Sequence, residues 1–177
     1  MTEQSTNKFG LPEKLNAFNV YSYGTKLIGV SDEVKLPEIT EITSTIAGPG
    51  VLGEFESPTV GKFQSTDFDL PFRTLYRGAT NVLSEDYVDL TLRGSTQVTH
   101  GAGDVTYESV RVVIRGRKKG FNPGTFKQGE GTNASVKVEW SYYLLEIGGK
   151  KCMEIDKFNE VYKVNGVDKL AVIKAMC

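Results

Sequence analysis

Between positions 135 and 142, Val136, Val138, Trp140 and Tyr142 alternate with Ser135, Lys137, Glu139 and Ser141, and no feature limits the fold more than this. A period of two sends successive side chains to opposite faces of a pleated strand, whereas a helix would scatter the same residues around its circumference. The stretch therefore reads as a long strand with one face in a core and one in water. The same pattern recurs. Phe68, Leu70 and Phe72 alternate with Asp67 and Asp69 in a strand over 63–73 that also carries Ser65. Val88, Leu90 and Leu92 form another set, and Val110, Val112 and Ile114 alternate with Arg111 and Arg115. Residues 42–47 add a further strand, and the nineteen glycines supply the turns between them.

Turn chemistry orders these strands. Tyr23-Gly24-Thr25 interrupts an alternating run from Ala17 to Val30, and Gly148-Gly149 separates Leu144–Ile147 from Met153–Ile155, so both read as hairpins. A short helix is expected over 79–87 with Thr80 as its cap. A closing helix is expected after Asn165-Gly166, with Asp168 as N-cap and Leu170, Ile173 and Met176 on one face. Between the strands at 42–47 and 63–73 lies GPGVLGEFESPTVG, whose glycines and prolines predict a long loop without regular structure. Its Val51, Leu52, Phe55 and Val60 are too apolar for open solvent, so the loop is expected to pack on something, a neighbouring chain included. The chain's 177 residues fit one mainly β domain over 1–177, with 1–10 as a flexible amino-terminal segment.

Composition removes several function classes. Lysine plus arginine (21) almost cancels aspartate plus glutamate (22), so no net field draws a polyanion or a membrane surface. Cys152 and Cys177 are too few for a disulfide framework and read as reduced thiols. The polar start, residues 1–8, lacks the apolar stretch of a secretory signal, and no run of roughly 18 apolar residues suggests a membrane span. His100, the one histidine, sits in a turn-like His-Gly-Ala-Gly run with no nucleophile or metal-ligand set legible around it, so neither catalysis, a metal nor a cofactor is expected. Gly48, Gly50 and Gly53 match dinucleotide-loop spacing, yet Pro58 and Gly61 follow where a helix would have to begin. Arg115, Arg117, Lys118 and Lys119 read as a solvated hairpin end, Glu85 and Asp86 as a surface turn, and Asn133-Ala134-Ser135 as a sequon by pattern alone. Trp140, in phase with Val136 and Val138, is expected in the core instead of in a ligand site.

The ordered segments LPEKLNAFNVY from Leu11, KLIGVSDEVKLPEI from Lys26, AGPGVLGEFESPTVGKF from Ala47, LPFRTL from Leu70, LRGS from Leu92 and MEIDKFNEVYKVNGVDKL from Met153 span nearly the whole chain. Together they resemble the major tail tube family of contractile-tailed phages and R-type tailocins. That resemblance implies a β-sandwich or barrel-like subunit with a flanking helix and a C-terminal helix. It implies hexameric rings stacking into a hollow tube inside a contractile sheath, in a virion tail or tailocin particle assembled in the bacterial cytoplasm. Its implied partners are further copies of itself, the tail sheath, baseplate and tail terminator proteins, with DNA only as passing cargo. A type VI-like secretion tube, or a ligand-binding β-sandwich, is the alternative. By the same resemblance, the strands flanking the long loop and two later strands line the channel. The expected bore residues are Glu41, Thr43, Thr45, Ser65, Asp67, Asp69, Arg111, Arg115, Ser135, Lys137, Glu139 and Ser141. The expected inter-subunit loop comprises Gly48, Pro49, Gly50, Val51, Leu52, Gly53, Phe55 and Pro58.

Overall fold

The computed structural model of the chain describes residues 10–101 and 103–177; apart from Gly10, the segment expected to be flexible lies outside the described residues. In chain order the elements are β1 (Gly10–Ser22), β2 (Thr25–Leu27), β3 (Glu41–Ala47), β4 (Glu54–Phe63), β5 (Asp67–Phe72), α1 (Arg77–Ser84), β6 (Tyr87–His100), β7 (Val105–Asn122), β8 (Ala134–Ile147), β9 (Lys150–Asp156), β10 (Val161–Val164), β11 (Val167–Asp168) and α2 (Ala171–Lys174). Among the described residues, nine strands form one antiparallel sheet in the order β11-β10-β9-β8-β7-β6-β1-β2, with β5 branching from β8, while β3 and β4 pair only with each other. The mainly β expectation holds.

Three two-residue turns close hairpins in which both turn residues have positive φ, the geometry that matches the right-handed twist of paired strands. They are Tyr23-Gly24 between β1 and β2, Gly148-Gly149 between β8 and β9, and Asn165-Gly166 between β10 and β11. The last corrects an expectation: Asn165-Gly166 closes a hairpin, and Asp168 belongs to β11. The Asp168 carboxylate still accepts the Leu170 N–H at 2.9 Å, but α2 beyond it is a single helical turn with no buried residue. An amphipathic pattern is held as a helix where its apolar face is covered; here Leu170 packs over Gly61, while Ile173 and Met176 stay exposed.

The core lies on one face of the sheet. Phe68, Leu70 and Phe72 of β5, Val88, Leu90 and Leu92 of β6, Val112 and Ile114 of β7, and Val136, Val138 and Trp140 of β8 all enter it, joined by Ala79 and Val82 of α1. Each such buried apolar side chain contributes roughly 1.5–3 kcal/mol relative to exposure. The helix begins at Arg77, earlier than expected, and Thr80 is no cap: its hydroxyl donates back to the Arg77 carbonyl at 2.8 Å. The first strand after the loop begins at Asp67, later than the expected position 63.

Strand β8 changes phase midway. Arg115 of β7 faces Tyr142, but Gly116 faces Trp140, so Ser141 is the extra residue of a β-bulge. The core side passes from Trp140 to Tyr143, and Tyr142 turns to the opposite face. Gly116 makes room for this kink, since a Cβ there would collide with the Glu139 carbonyl. Ser141 is consequently buried, its hydroxyl 3.3 Å from both the Arg115 carbonyl and the Tyr87 hydroxyl. The expectation that Ser141 stands on an open polar wall is corrected.

Candidate assembly surfaces

The segment expected to be an irregular loop is largely a β-ribbon. Gly48, Gly50 and Gly53 all have positive φ and shape its tip, where the Val51 N–H donates to the Gly48 carbonyl at 3.1 Å. From Glu54 onward the chain is strand, paired Ala47 to Glu54, Ile46 to Phe55 and Thr43 to Pro58. Pro58 is tolerated because each strand of a two-stranded ribbon has one edge without a partner, where a missing N–H breaks no ladder bond. Residues directly opposite share a face. Ile46 and Phe55 therefore form an apolar side and Thr43, Thr45, Glu54 and Glu56 a polar one, and all six are exposed, as are Val51 and Leu52 at the tip.

At the ribbon's base the register jumps from Glu41–Phe63 to Thr43–Pro58, leaving residues 59–62 of β4 bulged against Ile42. Gly61, at φ 77°, occupies this bulge; its N–H donates to Glu41 Oε1 at 3.2 Å, and a Cβ there would run into Leu170. Glu41 is thus engaged at the base and only half-exposed, while Thr43 and Thr45 stand free. Phe63 meets Tyr162 edge to face at 5.1 Å, anchoring the ribbon to β10.

The second surface is the face of the main sheet turned away from the core. Register places Asp67 opposite Glu139 and Asp69 opposite Lys137, with Arg117 opposite Glu139, Arg115 opposite Asp89 and Tyr142, and Arg111 opposite Glu146. The bulge at Ser141 keeps both halves of β8 on this one face. Lys119 Nζ lies 2.8 Å from Asp67 and 3.4 Å from Glu139, and the Ser65 hydroxyl donates to Glu139 at 2.8 Å. The Lys119 hydrogen bond holds the Asp67 carboxyl below its ordinary value, and Asp67 in turn raises Lys119. Arg111 pairs with Glu146 at 3.0 Å, and Arg115 pairs with Asp89 at 2.7 Å while lying over the Tyr142 ring. Burial, aided by a hydrogen bond to Glu154, pushes the Tyr142 hydroxyl up to about 12.

Of the residues expected in a bore, Ser65, Asp67, Asp69, Arg111, Arg115, Lys137 and Glu139 are thus brought to one polar face or its margin, with Ser135 half-buried in register with Pro71. Glu41, Thr43 and Thr45 stand apart on the ribbon, and Ser141 is inside. The basic cluster is not a hairpin end: Arg115, Arg117, Lys118 and Lys119 lie within β7, and Lys118 reaches Asp86 at 3.3 Å.

A third surface is one that the sequence pattern did not predict. Beyond the Val110–Ile147 pair, where β8 ends, β6 and β7 continue together as far as the Thr99–Val105 pair, and β1 runs alongside β6 from Gly10. This three-stranded tongue exposes Leu11, Leu15, Val105 and Tyr107. His100 ends β6 half-buried and 2.9 Å from the Thr106 hydroxyl. The available signal was the β-branched and aromatic content of 96–99 and 105–107.

Known proteins resemble the chain in both sequence and fold. A family described as phage tail tube protein FII matches residues 12–176. The tail tube protein of Escherichia phage P2 is 34% identical over 168 residues, covering 90% of this chain and 94% of its own. The major tail tube protein of Serratia phage KSP20 is 29% identical over 167 residues, covering 88% and 90%. In fold, the chain is similar to a protein of the sheath/tube terminator of an extracellular contractile injection system, PVC, in its extended state. That match has a TM-score of 0.52 at 16% identity and covers 77% of this chain and 97% of the other.

Proposed function

The chain belongs to the phage tail tube protein FII family, and from that premise we propose that this structural tail tube subunit closes into hexameric rings. The rings stack into a hollow tube, with the polar face of the main sheet turned to the bore. The observation that carries this reading is the set of ion pairs on that face, Asp67 and Glu139 with Lys119, Asp89 with Arg115 and Glu146 with Arg111, interrupted by the apolar pair Val113–Leu144. Such a wall offers passing DNA no net positive field, so it does not hold the phosphate backbone as a basic wall would.

Ring closure and stacking also give the exposed apolar residues a place to go. The ribbon's Ile46, Phe55, Val51 and Leu52, and the tongue's Leu11 and Tyr107, would be covered by neighbouring copies. The unpaired edges of β3, β4 and β5 would likewise gain partners, the usual remedy for sheet edges in an assembly. Outside the tube the partner is a contractile sheath, and at its ends are terminator and baseplate proteins.

Labelling of assembled tubes tests the orientation. In a background carrying Cys152→Ser and Cys177→Ser, Lys137→Cys in tubes is expected to react with a small maleimide and to resist a bulky polymer-linked maleimide that cannot enter the bore. Equal reaction with both reagents would place Lys137 on the outside.

A further inference from the structure

Opposite edges of the main sheet carry complementary features. Near the β1–β2 edge, Phe18, Leu92, Val110 and Val112 of the sheet and Val34 and Leu36 of the adjoining loop line an open, largely apolar groove of about 290 Å³. Asp32 and Glu33 stand on the same loop and also line it. At the far edge, β11 leads directly into the segment 169–176, where Val172, Ile173 and Met176 are exposed at 67%, 47% and 82%. Lys169 and Lys174 flank that apolar surface, and Lys174 makes only a loose surface pair with Asp168 at 3.7 Å.

Resting on the tube reading, we propose that the segment 169–176 of one copy docks in this groove of the next copy in the ring, its apolar side chains filling the groove and Lys169 and Lys174 meeting Asp32 and Glu33. Topology supports the pairing. A head-to-tail ring repeatedly abuts one side of a subunit against the opposite side of its neighbour; the segment follows β11 at one edge of the sheet, and the groove opens across β1, β6 and β7 toward the other. A two-fold contact would need the groove and the segment side by side on one interface, so that each met the other reciprocally across it. Charge also selects among the exposed apolar knobs. Leu52 is followed closely by Glu54 and Glu56, which Asp32 and Glu33 would repel, whereas the C-terminal segment carries lysines.

Disulfide trapping and charge reversal test the docking. In the Cys152→Ser and Cys177→Ser background, Glu33→Cys with Lys174→Cys is expected to give, on oxidation of assembled tubes, a ladder of covalent oligomers that ends at a closed ring. Asp32→Lys with Glu33→Lys is expected to abolish rings while leaving the circular dichroism spectrum intact, and adding Lys169→Glu with Lys174→Glu is expected to restore them. Rings that assemble yet stay uncrosslinked, or a reversal that the second pair does not rescue, would overturn the docking and leave the tube reading standing. If the unsubstituted chain forms no rings at all, both readings fall together.

Discussion

Trp140 is held on every side. Its ring is 1% exposed, its Nε1 donates to the Thr66 hydroxyl at 2.8 Å, Lys157 Nζ sits 3.7 Å from the ring centroid, and Tyr143 packs at 6.1 Å. Burial in this contact pushes the Lys157 ammonium below its ordinary value, although Glu139 pulls the other way. Replacing the indole by a methyl leaves a cavity and strips Thr66 of its donor. Trp140→Ala is therefore expected to cost about 3–5 kcal/mol in urea denaturation, and a cost under about 1 kcal/mol would remove Trp140 from the core. The burial of Trp140 was legible from its phase with Val136 and Val138. The escape of Tyr142 to the outer face was not, because a single bulged residue flips the period without any residue type that announces it. Val113 and Leu144 are a different case: paired with each other in unbroken register on the outer face, they are buried where alternation predicts exposure.

At the scale of elements, the β3–β4 ribbon separates folding from assembly. It shares no ladder with the main sheet and touches it chiefly through Gly61, Leu170 and the Phe63–Tyr162 contact. Val51→Ser with Leu52→Ser removes apolar groups already exposed in the subunit, so the melting temperature and circular dichroism are expected to stay unchanged. Tube formation is expected to fail, because each apolar side chain covered at a neighbour contributes roughly 1.5–3 kcal/mol and the loss repeats at every subunit. Tubes of normal length from this variant would show that the ribbon tip makes no contact of consequence. The sequence revealed that this segment was too apolar for solvent but not that it was a strand, since Pro58 and the glycines weigh against strand structure everywhere except in a ribbon with free edges.

For the whole molecule, 21 basic and 22 acidic residues nearly cancel, and on the polar sheet face Arg111, Arg115 and Lys119 are each paired with an acid. Asp67→Lys with Asp69→Lys breaks the Lys119 pairing, but exposed pairs of this kind contribute only about 0–1 kcal/mol, so the subunit is expected to fold. In tubes the change is repeated around every ring, and the wall becomes basic. Such tubes are expected to retain DNA at low ionic strength and to release it as salt rises. Retention no greater than that of the unmodified tube would remove these aspartates from the bore. The central claim meets its most direct test in electron cryomicroscopy of the purified chain at high concentration. Stacked rings of sixfold symmetry around an open bore, with β5 and the first half of β8 facing the axis, are the expected result. Particles that remain monomeric, or tubes whose inner wall is built from the core side of the sheet, would contradict it.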